Sequence, residues 1–142
     1  MDKNNLFQQF VSFSAAVYDV THAIKKQTMP KHITPVQYNI LEYIFVSPPV
    51  TASDICDCLH MSMPNISREL KKLQDKQYIE KRISPADRRK QTIHLTTEGQ
   101  AIMQSTFERI EVLFQQRIGN ASEEELRNMR QAIQLLQSKL FY

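Results

Sequence analysis

The chain has 142 residues, 42% hydrophobic and 23% charged, enough for one domain with its own core and too short for two. Its 2 glycines argue against a glycine-rich nucleotide loop, and no run of about eighteen apolar residues supplies a membrane span. The net charge of +3 is unevenly spread: residues 62–90 hold nine Lys/Arg against four acids, a net of +5, and the remainder is net −2.

That local basic excess suits a surface that meets phosphates, although a solvated face of mixed charge would also produce it. Asp2 and Asp19 interrupt an N-terminus whose apolar residues are periodic rather than continuous, so no signal peptide is expected. Cys56 and Cys58 lie too close together to staple a fold, which fits a reducing, cytoplasmic location.

The spacing predicts a long first helix with a four-three seam of Leu6, Phe10, Phe13, Val17, Val20 and Ile24. "MPKHITP" breaks it, and Thr34 with Pro35 opens a second helix that "SPP" at 47–49 stops. Residues 51–76 read as two helices joined by a tight turn. Thr51 caps the first, with Asp54 three residues on and Ile55 and Leu59 facing inward. Ser62 caps the second, where Pro64 is tolerated in the first turn and Ile66, Leu70 and Leu73 form the buried stripe.

"YIEKRIS" and "QTIHLT" alternate in period two around "PADRRK", the pattern of a β-hairpin. A long helix follows, with Met103, Phe107, Ile110 and Phe114 on one seam and Gly119-Asn120 at its end. Ser122 and Glu125 form a capping box for a last helix carrying Leu126, Met129, Ile133, Leu136 and Leu140. The expected fold is mainly α with a small β-hairpin wing: a winged helix-turn-helix flanked by long N- and C-terminal helices. Those outer helices carry more apolar seam than one small core can cover, so they are expected to pack against a second copy of the chain.

A helix-turn-helix reads DNA with the N-terminal residues of its second helix in the major groove. Here these are Ser62, Pro64, Asn65 and Arg68. Arginine can bond guanine bidentately and asparagine can do the same with adenine. The first amides of the helix, with Ser62 and Ser67, suit a phosphate, and Lys71 and Lys72 suit the backbone farther along. The same polar residues would also serve as the wet side of an amphipathic helix. At the hairpin tip, Asp87 can hold one guanidinium of Arg88 or Arg89 while the other, with Lys90 beside it, reaches an adjacent minor groove.

The stretch "DRRKQTIHLTTEG", after a helix-turn-helix and before two long helices, resembles the MarR family of bacterial transcription regulators. In that family an Asp-Arg-Arg wing leads into a strand and a Leu-Thr-x-x-Gly helix start. "TPVQYNILEYI" and "LKKLQDKQYIEKR" extend the likeness over nearly the whole chain. The resemblance implies one MarR-type domain over 1–142, with residues 1–33 and 97–142 as dimerisation helices and 34–96 as the DNA-binding lobe. It implies a homodimer on a pseudo-palindromic operator in double-stranded DNA, acting mostly as a repressor and released by a small-molecule effector or by cysteine oxidation. It makes Arg89 the minor-groove arginine, Asp87 its anchor, and Arg88 the residue nearer the phosphates. Gln77 departs from the family's glycine after the recognition helix, where a left-handed glutamine would cost roughly 1 kcal/mol.

An effector cleft is implied by the same resemblance, with Tyr18, His22, Tyr38 and Tyr43 as candidate lining residues, although tyrosines at helical spacing also suit a core. Cys56 and Cys58 are about 200° apart around a helix, so Cys56 is assigned to the core and Cys58 to the surface as a candidate redox thiol. His22, His32, His60 and His94 are scattered, and neither a metal site nor a cofactor is expected. A winged helix that binds protein through its wing is the alternative to a DNA reader. An enzyme is not expected, since there is no P-loop, nucleophile elbow or glycine fingerprint.

Overall fold

Polar residues at the expected positions start the helices. In the computed structural model, which describes residues 3–142, α1 spans Lys3–Thr28, α2 Pro35–Val46, α3 Ala52–Leu59 and α4 Met63–Asp75. Strands β1 (Ile79–Ile83) and β2 (Gln91–Leu95) follow, then α5 (Thr97–Ile118) and α6 (Glu123–Lys139). Asp2 lies outside the described residues. Thr34 and Gln37 satisfy each other's backbone amides in a capping box, as do Thr51 with Asp54 and Ser122 with Glu125. Such a cap contributes about 1 kcal/mol.

The chain forms two compact units, one reaching Ile110 and the other running from Glu111 to Tyr142. The first holds the core. Leu41 and Ile44 of α2, Ile55 of α3, and Ile66, Leu70 and Leu73 of α4 are buried together with Ile79 of β1 and Ile93 of β2. Met103 of α5 completes this cluster, and Phe107 stacks on Phe45 with ring centroids 5.0 Å apart. The strands pair antiparallel with Ile79 opposite Leu95 and Ile83 opposite Gln91. The Ile93 amide also donates to the Val50 carbonyl at 2.8 Å, tying the base of the hairpin to the segment before α3. Alternation in β1 ends early: Ile79 is buried, yet Ile83 is 61% exposed because the hairpin leaves the core before that point.

Helix ends are specified as locally as the starts. Gly119 closes α5 at φ 62, and His60 closes α3 in the same left-handed region. Gln77 adopts it too, at φ 64, so this chain keeps the geometry of a glycine stop with a glutamine in place. Its amide donates to Gln74 and the Tyr78 amide reaches Leu73 at 3.0 Å, the two bonds of a Schellman closure. The Thr96 hydroxyl donates to the Gln77 carbonyl at 2.6 Å and accepts the Gly99 amide at 3.1 Å. A Cβ on Gly99 would sit 2.1 Å from the Tyr78 carbonyl oxygen, so this helix start fits against the Gln77 turn only without a side chain. The threonine and glycine of "LTTEG" are thus a docking device for α5.

The outer seams are only partly covered: Phe10, Val20 and Ile24 of α1, Ile110 of α5 and Leu136 of α6 are half-buried. Among its described residues α1 buries only Thr28, and Leu6, Phe13 and Val17 face outward. The seam of α5 divides, with Met103 buried and Phe114 exposed. In the second unit α6 buries nothing, and Leu126, Met129, Ile133 and Leu140 are all exposed. No helix among the described residues is long and apolar enough to cross a membrane.

Candidate nucleic-acid interface

Helix α4 is a strongly amphipathic rod whose buried stripe fixes what it shows outward. With Ile66, Leu70 and Leu73 turned into the core, its 3.6-residue repeat sets Pro64, Asn65, Arg68, Lys71 and Lys72 on the opposite side. All five are exposed, as are Ser62 and Ser67. The Ser62 hydroxyl accepts the Asn65 amide at 3.4 Å, and Pro64 has no N–H. Two of the usual first-turn donors are therefore taken or missing, the Asn65 amide by the cap and that of Pro64 by its ring.

The outward side chains are partly organised by one another. The Arg68 guanidinium donates to the Asn65 side-chain oxygen. Glu69, at the edge of the exposed face, accepts Gln37 Nε2 at 3.2 Å and Lys72 Nζ at 3.4 Å. Lys76, at the end of α4, donates to the His32 carbonyl at 2.8 Å and to Gln37 Oε1 at 3.1 Å. Tyr78 and His32 share a hydrogen bond of 2.6 Å. Together these contacts clamp the α1–α2 connection to α4, a link across 46 residues that no local pattern announces.

At the wing, the Asp87 carboxylate takes a different partner from the one its position suggested. It accepts the Arg89 backbone amide at 3.0 Å rather than a guanidinium, while the Asp87 carbonyl accepts the Lys90 amide. The Ser84 amide donates to the Lys90 carbonyl at 2.9 Å and closes the loop. Asp87 therefore braces the turn's backbone and leaves both arginines loose. Arg88, Arg89 and Lys90 are exposed, and none of them forms an ion pair with another described residue. Arg82, lower on β1, is instead held by Glu80.

A cavity of about 600 Å³ lies between α1 and α2. Tyr18, His22 and Tyr38 line it, joined by Lys25, Lys26 and Met29, which the sequence reading did not include. Tyr18 and His22 stack with centroids 5.7 Å apart. The Tyr38 hydroxyl is buried without a hydrogen-bond partner among the described residues, and burial, followed by the Glu42 charge, raises its pKa. Lys25 pairs with Glu42 at 3.4 Å and sits over the Tyr38 ring. Tyr43 does not line this cavity. Desolvation and then the charges of Cys58, Asp54 and Asp57 raise its pKa, marking a different neighbourhood. Five residues along a helix turn about 140° around its axis, so Tyr38 and Tyr43 cannot share a face.

Cys58 is exposed as expected. Cys56 is half-buried at the edge of the core with Sγ 3.9 Å from Met63 Sδ, and both are free thiols. No group of three or more His, Cys, Asp or Glu converges among the described residues.

Comparison with known proteins agrees with this geometry. The model of the MarR family matches residues 33–90, the span from the α1–α2 connection to the wing. A search of curated proteins finds no match. The MarR family transcription regulator SP03579 is 26% identical with a TM-score of 0.72, the match covering 97% of this chain and 91% of that one. MepR of S. aureus bound to ethidium bromide is 25% identical with a TM-score of 0.66, over 90% of this chain and 96% of that one. A mutant MepR bound to an oligodeoxyribonucleotide has the same identity and a TM-score of 0.60, over 90% and 97%. A MarR family protein from Bacillus stearothermophilus reaches a TM-score of 0.84 over 100% and 99% of the two chains at 11% identity, a likeness of fold alone. The chain is thus similar to the MarR family over its helix-turn-helix and wing, and shares the winged-helix fold of MarR family regulators over the rest.

Proposed function

We propose that this chain is a sequence-specific DNA-binding repressor that occupies a pseudo-palindromic operator as a homodimer. The observation that carries the reading is the free positive charge on two neighbouring features of one unit. Arg88, Arg89 and Lys90 at the wing tip lack acidic partners among the described residues, and Arg68 and Lys71 crown the outward face of α4. Such charge releases condensed counterions when it meets phosphates. The MepR complex with an oligodeoxyribonucleotide supports the same role here. In this reading α4 lies in the major groove and Arg89 enters the flanking minor groove, with Arg88 and Lys90 on the backbone. Residues 34–96 form the DNA-binding lobe, and the exposed seams within 1–33 and 97–142 join two copies.

A salt titration tests the wing. Arg89→Ala weakens duplex binding and lowers the slope of log affinity against log salt by about one unit. Equal affinity and slope for the variant would remove Arg89 from the interface. Weak, sequence-independent binding by the unaltered chain would favour a protein-interaction module.

Release by a small-molecule effector is a second part of the proposal, favoured by the cavity that Tyr18, His22 and Tyr38 share. Its volume is within the range of small-molecule sites, and MepR with ethidium bromide is a relative with a bound aromatic compound. An effector that dissociates the DNA complex of the unaltered chain and fails against Tyr18→Ala would support this site. Equal release from both would exclude Tyr18 from it.

A further inference from the structure

We infer that Asn65 does not read a base on its own: it positions Arg68, and the two together specify guanine in each half-site. This inference rests on the DNA-binding reading above. It begins from a single contact, in which the Arg68 guanidinium donates to Oδ1 of Asn65, one turn earlier on the exposed face of α4.

Arginine has only donors, so its partner on Asn65 must be the amide oxygen. That fixes which way the amide points. A bidentate asparagine–adenine pair needs the oxygen to accept from the adenine N6 amino group while the NH2 donates to N7. With a guanidinium on that oxygen, the adenine amino group would meet a cation and a row of donors. The composite edge formed by Asn65 Nδ2 and the remaining Arg68 N–H groups is all donor. Among the four bases, guanine alone presents two acceptors, O6 and N7, side by side in the major groove.

The surroundings support the assignment. Glu69, the acid next in sequence to Arg68, has its carboxylate occupied by Gln37 and Lys72. Asn65 is the partner that holds Arg68, and a guanidinium restrained before docking loses less side-chain entropy when it binds. Both residues lie in the first half of α4, the part that approaches base edges in a helix-turn-helix.

The test is selection of bound duplexes from a random pool by the unaltered chain and by Arg68→Ala, Asn65→Ala and Asn65→Asp. Both side chains are exposed, so the variants keep the fold, which thermal unfolding checks. The unaltered chain enriches a guanine in each half-site. Arg68→Ala erases that preference, a loss of roughly 5- to 150-fold in discrimination. Asn65→Ala reduces preference for the same guanine and leaves every other position unchanged. Asn65→Asp keeps an acceptor for Arg68 and restores the preference, although its charge near the phosphates lowers affinity for all sequences alike. Loss of an adenine preference in Asn65→Ala with the guanine untouched would make Asn65 an independent reader and overturn the inference. A motif in which Arg68→Ala changes no guanine would overturn it as well, leaving DNA binding intact. No enriched motif from the unaltered chain would defeat the DNA-binding reading and this inference with it.

Discussion

Helix α4 buries Ile66, Leu70 and Leu73 against the core of its unit, whereas α6, with Leu126, Met129 and Ile133 at similar spacing, buries none of them. Four-three spacing defines an amphipathic helix and says nothing about where its partner comes from. For α4 the partners are α2, α3 and β1 of the same unit. For α6 and the outward face of α1 the apolar side chains stay in solvent, more exposed surface than a single helix normally tolerates alone. Independent closure of one region and the open seams of the others fit the two proposed tasks of holding a reading head in shape and joining copies.

The strongest way to break this comparison is a pair of truncations. Leu70→Ala empties part of a closed core and should cost about 2–5 kcal/mol in denaturant unfolding at any protein concentration. If the proposed dimer buries its side chain between copies, Ile133→Ala should lower the midpoint by an amount that depends on protein concentration. A concentration-independent loss for Ile133→Ala would place its partner within one chain. Next in size is Gly99→Ala, whose Cβ would collide with the Tyr78 carbonyl and should cost about 1–3 kcal/mol in the same assay. A neutral result would mean that α5 can shift away from the Gln77 turn without loss. The smallest effect has the opposite sign. Gln77→Gly relieves a left-handed glutamine and should stabilise the protein by about 1 kcal/mol or less, seen as a raised thermal midpoint.

Features fixed within a few residues were legible in the sequence. Thr34, Thr51, Ser62 and Ser122 cap their helices because the acceptor oxygen and the amide it serves are three residues apart. The strain at Gln77 could be anticipated for the same reason, since the stop signal is local. Asp87 shows where that legibility ends. An aspartate before two arginines invites an ion pair, yet the nearer competitor is the backbone amide two residues on, which a short carboxylate reaches without ordering a long side chain. The clamp of His32 with Tyr78 and Lys76 joins segments more than forty residues apart and leaves no periodic trace. The cavity lies between these extremes. Tyr18 and His22 are one turn apart and meet, while Tyr43 falls on a different face of α2 from Tyr38.

The central claim is that two copies of the chain present two reading heads to one duplex. Selection of bound DNA from a random pool by the unaltered chain tests it most directly. An inverted repeat of roughly 16 to 20 base pairs, with half-site centres about one helical turn apart, is the predicted result. Enrichment of a single unrepeated motif, or of no motif, would contradict it.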